Sequence, residues 1–164
     1  MLKKGTKVEL NKAEQLACKV IAKLRFENNR KENTKNSKIG PQSNEDTDLE
    51  GIAAEFAFCK LNNLYPDFSV FTRSSKNNTD CGDVKLNNGA TVDVKSTKYP
   101  TGKLLAVPWK KPTSTYMALM VGSFPKYEFK GIMESEELIN PKRLGNLGHG
   151  ETYIARQEEL KDLT

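Results

Sequence analysis

Two short apolar runs on either side of Asn87-Asn88-Gly89 form the clearest local pattern in the chain. The runs cover 84–86 and 90–94, and short strands joined by such a turn are typical of a β-hairpin. Asparagine and glycine tolerate the positive φ angles that a tight turn requires. The pattern therefore predicts a hairpin.

The two faces of this hairpin differ in chemistry. Side chains alternate between the faces of a strand, so Val92 and Val94 should point into a core. Asp93 and Lys95 should then point the other way, and Asp83 stands where the first strand begins. We therefore expect two carboxylates and an ammonium group close together. The alternative is a surface ion pair between Asp93 and Lys95, which would contribute little to stability.

Two helices should precede the hairpin. Asn11, with Glu14 three residues later, has the form of a helix start, and the apolar spacing that follows predicts a helix over 11–28. The apolar positions of this helix are Leu16, Val20, Ile21 and Leu24. Thr47-Asp-Leu-Glu50 has the form of a capping box, and the apolar stretch 51–61 after it predicts a buried helix.

The remaining apolar runs are short and predict mainly strands. The run 116–121 is apolar almost throughout and should be a central strand, because both of its faces must be covered. Further predicted strands cover 68–72, 103–107, 127–133 and, at an edge, 152–155. Short helices are predicted from 135 and over 157–163, and 1–9 should form a loose basic arm.

This order of elements predicts an α/β fold, with α+β as the alternative, in which helices flank a central mixed sheet. The length of 164 residues suits a single domain with its own core. Within it we expect an N-terminal helix and basic loop over 1–46, a core over 47–133 and smaller C-terminal elements over 134–164.

Composition narrows the functional classes. Hydrophobic residues make up 37% of the chain and charged residues 29%, which is typical of globular proteins. No apolar run approaches the roughly 18 residues of a membrane span, so no membrane partner is expected. The first residues are not followed by an apolar signal region, and the three cysteines suit no disulfide framework. Both features favour a cytoplasmic compartment.

The same counts limit the choice of metal. His149 is the single histidine, and no two cysteines form a CxxC pair, which argues against a structural zinc site and against most histidine-based hydrolases. Any metal must then be held mainly by oxygen, which favours Mg²⁺.

The net charge of +5 is compatible with nucleic-acid binding but does not establish it. The segment 28–41 is rich in lysine and asparagine. It is either a solvated linker or a loop that contacts phosphates when DNA binds. The candidate nucleic-acid contacts are Arg25, Arg30, Lys98 and Lys103.

Glu55 stands in the middle of the predicted buried helix. A carboxylate there is costly unless it is paired, protonated or bound to a metal. One interpretation is an ion pair with a buried lysine or arginine, and the other, which we favour, is a site shared with Asp83 and Asp93. A divalent cation held by the three carboxylates, the carbonyl of Val94 and water would remove their mutual repulsion. Lys95 could then orient or deprotonate the attacking water.

The set of Glu55, Asp83 and Asp93-Val94-Lys95, on a helix and two strands, resembles the PD-(D/E)XK nuclease superfamily with its restriction-endonuclease-like fold. Small phage-type members of that group are the most similar. Gly51-Ile-Ala-Ala-Glu55 resembles their Gly-x-x-x-Glu helix, and Asp93-Val94-Lys95-Ser96-Thr97 resembles their Asp-Val-Lys-Ser/Thr signature. The resemblance covers 47–133.

The resemblance implies an αβββαβ core, here with an extra N-terminal helix, and hydrolysis of phosphodiester bonds with Mg²⁺ or Mn²⁺. Glu55, Asp83 and Asp93 would be metal ligands, and Lys95 would be the catalytic lysine. We therefore expect a Mg²⁺-dependent endonuclease acting on double-stranded or branched DNA in a bacterial or phage-infected cell. A homodimer would let two sites cut two strands.

Three features depart from the pattern of that superfamily. Gly82 replaces the proline before the first aspartate, Asp80 is a rival for that aspartate, and the helix expected between the later strands is not evident in 108–115. Two other functions therefore stay open. One is a catalytically silent DNA-binding protein of the same fold, and the other is an unrelated, virus-encoded interaction module.

Overall fold

A mixed sheet and two long helices form the centre of the computed structural model, which describes residues 1–31, 44–69 and 83–164. The helices are α1 (Lys12–Lys31), α2 (Asn44–Leu61) and α3 (Ser135–Leu138). The strands are β1 (Lys7–Glu9), β2 (Val84–Lys85), β3 (Thr91–Thr97), β4 (Leu104–Ala106), β5 (Tyr116–Ser123), β6 (Lys126–Glu134), β7 (Leu144–Asn146) and β8 (Glu151–Ala155).

The larger sheet has five strands in the order β1-β6-β5-β3-β2. Strands β3 and β5 run parallel, and the other neighbouring pairs are antiparallel. A smaller antiparallel sheet has the order β4-β8-β7. The predicted α/β fold with a central mixed sheet is therefore confirmed.

Different layers cover the two faces of the larger sheet. Helix α1 packs on α2, and α2 packs on β3, so that Phe58 and Val92 belong to one core. On the opposite face, Leu104 of β4, Leu119 of β5 and Leu138 of α3 form a second core. The long helices thus lie on one face, and the smaller sheet with α3 covers the other.

The predicted hairpin is present as β2 and β3. Val84 pairs with Val92, and Gly89 in the turn has a φ of +87°, which residues with a Cβ rarely adopt. The side chain of Asn88 accepts a hydrogen bond from the N–H of Ala90 at 3.0 Å. The asparagine and glycine that predicted the turn therefore form it in the structure.

Helix α1 begins as predicted but turns a different face to the core. The N–H of Asn11 donates to the Glu14 carboxylate at 2.7 Å, and the N–H of Glu14 donates to the Asn11 side chain at 2.9 Å. This reciprocal arrangement is a capping box. The buried residues of α1 are Cys18, Ile21 and Ala22, whereas Leu16, Val20 and Leu24 are exposed. The apolar spacing predicted the helix correctly but not its buried face.

Over 52–59 helix α2 is buried on nearly all sides, as predicted, but it begins at Asn44, before the predicted cap at Thr47. Glu50 therefore does not close a capping box. Its carboxylate reaches the turn between β5 and β6, where it accepts hydrogen bonds from the N–H of Phe124 at 3.1 Å and the hydroxyl of Tyr127 at 2.6 Å. These bonds fasten the helical layer to the sheet.

The predictions for the two ends of the chain need correction. The stretch 1–9 is not a loose arm, because it contains β1, which pairs with β6. The strand predicted at an edge over 152–155 lies in the middle of the smaller sheet. The helix predicted over 157–163 is only a 3-10 turn at Gln157–Glu159. In each case a partner distant in sequence decides the structure, and local periodicity does not reveal it.

The connection from β3 to β5 runs through 98–115 and contains β4 but no helix. The αβββαβ order would place a helix there, and the small sheet contributes to covering that face instead. Of the strand predicted over 68–72, Phe68 and Ser69 lie in irregular structure, and the other positions fall outside the described residues.

Replacing Glu50 by alanine should destabilise the fold, because the N–H of Phe124 and the buried hydroxyl of Tyr127 both lose their charged acceptor. The expected loss in the free energy of unfolding is about 2–4 kcal/mol, measured by urea denaturation. Glu45→Ala, at an exposed position in the first turn of the same helix, is the matched control and should change stability little. Equal denaturation midpoints for the two variants would contradict this role for Glu50.

Candidate active site

Asp83 forms hydrogen bonds with β3 on both sides of Asp93. Its backbone N–H donates to the carbonyl of Val92 at 2.9 Å. Its carboxylate Oδ2 accepts a hydrogen bond from the N–H of Val94 at 2.8 Å. Because Val92 and Val94 are the chain neighbours of Asp93, these two bonds hold Asp83 directly beside it.

Lys95 completes the polar face of β3. Its ammonium nitrogen lies 2.8 Å from Oδ1 of Asp93, and the side chains are 30% and 16% exposed, respectively. Val92 and Val94, which alternate with these residues, are buried in the core shared with α2. Asp93 and Lys95 therefore point to the face of the sheet opposite the long helices.

A second acid-x-lysine pair on β6 shows what distinguishes the pair on β3. Glu128 and Lys130 have the same spacing, their charged groups are 2.6 Å apart, and their side chains are 26% and 21% exposed. Across the sheet, however, Glu128 pairs with Lys7 of β1, whereas Asp93 lies beside Asp83. The β6 acid thus has a lysine as its cross-strand neighbour, and the β3 acid has a second carboxylate beside it.

Glu55 lies on α2 and forms an ion pair with α1. Its carboxylate is 3.8 Å from Nη1 of Arg25, and the two side chains are 13% and 17% exposed. The same guanidinium donates to the carbonyls of Ser69 at 2.7 Å and Asp67 at 3.0 Å. Arg25 thus joins α1, α2 and the segment that follows α2. An ion pair with a lysine or arginine was the alternative interpretation for Glu55, and the structure contains such a pair.

Glu55 and Asp83 both act on one buried thiol. Cys59 lies one turn after Glu55 on α2 and is 1% exposed. Burial, and then the negative charges of Glu55 and Asp83, raise the pKa of the Cys59 thiol to about 12. Burial is also the main cause that raises the pKa of Cys18 to about 12. The charges of Glu55 on α2 and of Asp83 beside β3 therefore both act on the Cys59 thiol.

The donors beside β3 suit a hard divalent cation. Mg²⁺ is usually bound by one or two carboxylates and keeps several waters, and Asp83 and Asp93 supply two. The carbonyl of Val94 points to the same side of β3 as its N–H, which is the side of Asp83. A carboxylate that accepts one hydrogen bond still has lone pairs for a metal. Within 1–31, 44–69 and 83–164, however, no three His, Cys, Asp or Glu side chains form a metal-binding group.

The candidate nucleic-acid contacts have different surroundings. Lys98 is exposed, with its ammonium 5.4 Å from the centre of the Tyr99 ring. Lys103 is half-buried just before β4, and Arg25 is largely covered, as described above. The side chain of Arg30 and all of Asp80, the rival for the first aspartate, lie outside the described residues.

Lys85 lies on the same polar face of the hairpin as Asp93, and the sequence analysis did not predict it as part of the site. It is exposed and pairs with Thr91 across the hairpin, and directly opposed residues place their side chains on the same face. Because Thr91 and Asp93 alternate with the buried valines, Lys85 shares their polar face. The alternation that placed Asp93 could also have found Lys85, whereas no local signal reveals Arg25 as the partner of Glu55.

Comparison with known proteins places the chain in a family. A family model described as "Family of unknown function (DUF5843)" matches residues 2–148, which include the whole candidate site. The chain belongs to the DUF5843 family. No curated protein and no solved structure matches this DUF5843 chain. In the part that the structure describes, no helix has the length and apolar character needed to cross a membrane.

Alkaline pH should destabilise this DUF5843 protein through its buried cysteines. The folded pKa of Cys18 and Cys59 is about 12, whereas a cysteine in the unfolded chain ionises near about 8.5. Since the folded pKa is the higher one, the stabilisation is complete below the unfolded value and is lost as the pH rises from about 8.5 towards about 12. Each thiol should lower the free energy of unfolding by up to about 1.4 kcal/mol per pH unit.

Urea denaturation between about pH 8.5 and about pH 12 measures this loss in the free energy of unfolding. Cys59→Ala should give a shallower decline than the native chain, whatever its stability at neutral pH. Tyr127 adds to the decline above about pH 10 in both proteins, because burial and its hydrogen bond to Glu50 raise its pKa. Identical slopes for Cys59→Ala and the native chain below that pH would show that Cys59 does not contribute.

Proposed function

We propose that this chain is a Mg²⁺-dependent deoxyribonuclease, an endonuclease that hydrolyses phosphodiester bonds. The observation that carries the proposal is that Asp83 is held beside Asp93 while Lys95 lies 2.8 Å from Asp93 on the same face. Two ionised carboxylates so placed repel each other, and a divalent cation bound by oxygen relieves that repulsion. The resemblance of the Glu55, Asp83 and Asp93-Val94-Lys95 pattern to PD-(D/E)XK nucleases supports the same function.

Each residue has a distinct role in this mechanism. Asp83 and Asp93, with the carbonyl of Val94, would hold Mg²⁺ or Mn²⁺, and Glu55 on α2 is the remaining member of the proposed ligand set. When bound, the ion supplies a water of lowered pKa and stabilises charge on the phosphodiester. Lys95 orients the attacking water and stabilises the negative charge that develops on the phosphate oxygens.

Double-stranded or branched DNA is the substrate that we propose. The net charge of +5 favours a polyanion. Lys85 lies on the site face, and Lys98 and Lys103 follow β3, where they would contact phosphates and position the strand. A homodimer would place one site on each strand of a duplex. The cytoplasm of a bacterial or phage-infected cell is the compartment that we propose, because the three cysteines of the sequence do not suit a disulfide framework.

A DNA-binding protein of the same fold without catalysis is the second candidate. The observation that favours it is that Arg25 pairs with Glu55 and Lys95 pairs with Asp93. In both pairs a basic side chain neutralises the carboxylate, so neither carboxylate requires a metal ion. The two candidates differ in one respect that can be measured, which is whether the purified protein cleaves DNA when Mg²⁺ is added.

Asp93→Asn and Lys95→Ala should each lower the rate of Mg²⁺-dependent cleavage by about 10²–10⁴-fold, because the first removes a metal ligand and the second a group that handles the attacking water. The measurement is gel-resolved cleavage of plasmid, linear and branched DNA in the presence of Mg²⁺ or Mn²⁺. Samples with EDTA are the metal-free control.

Lys130→Ala is the matched control, since it breaks the acid-x-lysine pair of equal spacing on β6. It should cleave at the native rate. Cleavage that survives both Asp93→Asn and Lys95→Ala would remove these residues from the mechanism. DNA binding without cleavage under every metal condition would favour the second candidate.

A further inference from the structure

Two exposed aromatic rings follow the C-terminal end of α2. Tyr65 is 86% exposed and Phe68 is 42% exposed. Their ring centroids are 5.2 Å apart, with an angle of 49° between the ring planes. Aromatic rings are usually buried against other apolar groups, so an exposed pair in mutual contact calls for a ligand that would cover it.

The pair is fixed to the body of the protein. Phe68 packs edge-on against Phe56 of α2, with ring centroids 5.3 Å apart. The carbonyls of Asp67 and Ser69 accept the hydrogen bonds from Arg25 described above. The N–H of Ser69 also donates to the Asp67 carboxylate at 2.8 Å. The backbone that carries the rings is therefore held at several points while the Tyr65 ring faces solvent.

The same contacts place the rings close to Glu55. Phe56, which supports Phe68, is the chain neighbour of Glu55. Arg25 contacts the Glu55 carboxylate and the two carbonyls that flank Phe68. The aromatic pair is thus one side chain away from a proposed metal ligand.

We propose that Tyr65 and Phe68 form a stacking platform for an unpaired nucleobase of the DNA substrate, an inference that rests on the proposed nuclease function and deepens it. Every base has a π-face, so stacking on aromatic rings tolerates any sequence. Bases inside a duplex are already stacked and are not available. The platform therefore favours DNA with an unpaired nucleotide next to the cleaved bond, such as a single-stranded end, a flap or a branch point.

Fluorescence anisotropy with labelled oligothymidine, in EDTA so that no cleavage occurs, tests this platform. Tyr65→Leu keeps an apolar side chain but removes the ring, and Tyr65→Phe keeps the ring. Tyr65→Leu should bind the single strand roughly 5- to 150-fold more weakly, the range expected for one lost base stack. Tyr65→Phe should bind like the native protein, and a duplex of equal length should show little effect of either change. Leu16→Ala, at a 64% exposed apolar position on α1, is the control for loss of exposed apolar surface.

Native affinity of Tyr65→Leu for the single strand would overturn the platform, and so would an equal loss in Tyr65→Leu and Tyr65→Phe. Cleavage assays on the same proteins separate this result from the fate of the nuclease. Ring-dependent binding without cleavage supports the platform and counts against the nuclease. Mg²⁺-dependent cleavage of branched DNA at an unchanged rate in Tyr65→Leu, with unchanged binding, supports the nuclease and refutes the platform.

Discussion

The burial of Val92 and Val94 beneath α2 is the constraint on which the rest of the structure depends. The two side chains are 0% and 6% exposed, and full burial of a valine contributes about 1.5–3 kcal/mol. Because side chains alternate along a strand, this burial directs Asp93 and Lys95 to the opposite face. A slip of one residue in β3 would bury both charges and expose both valines. The packing of the helix against the sheet therefore sets the register of the hairpin and the position of the candidate site.

The electrostatics of the site follow from that register. Asp83, bonded on both sides of Asp93, places a second carboxylate where β6 has a lysine beside Glu128. Lys95 forms an ion pair with Asp93. Partly exposed ion pairs contribute only about 0–1 kcal/mol, so exchanging the contact with Lys95 for a contact with a divalent cation would cost little. The hairpin thus combines a hydrogen-bonded backbone with charges that can change partners.

Features governed by short-range rules could be predicted from the sequence. The turn at Gly89, the burial of α2 and the polar face of β3 depend on residues close together in the chain, and the structure contains all three. The face of α1 that is buried, the pairing of β1 with β6 and the ion pair between Arg25 and Glu55 depend on segments that meet only in the folded protein. Periodicity cannot reveal such contacts. For this reason the two aspartates could be placed together from the sequence, whereas the surroundings of Glu55 could not.

Calorimetric titration with Mn²⁺ tests most directly whether Asp83 and Asp93 share a cation. The native protein should bind Mn²⁺, and Asp83→Asn and Asp93→Asn should each weaken binding roughly tenfold or more, because each removes an anionic oxygen ligand. Glu128→Gln, which changes the acid of the equivalent pair on β6, should bind like the native protein. Native affinity in both aspartate variants, or no binding by the native protein, would contradict the shared site.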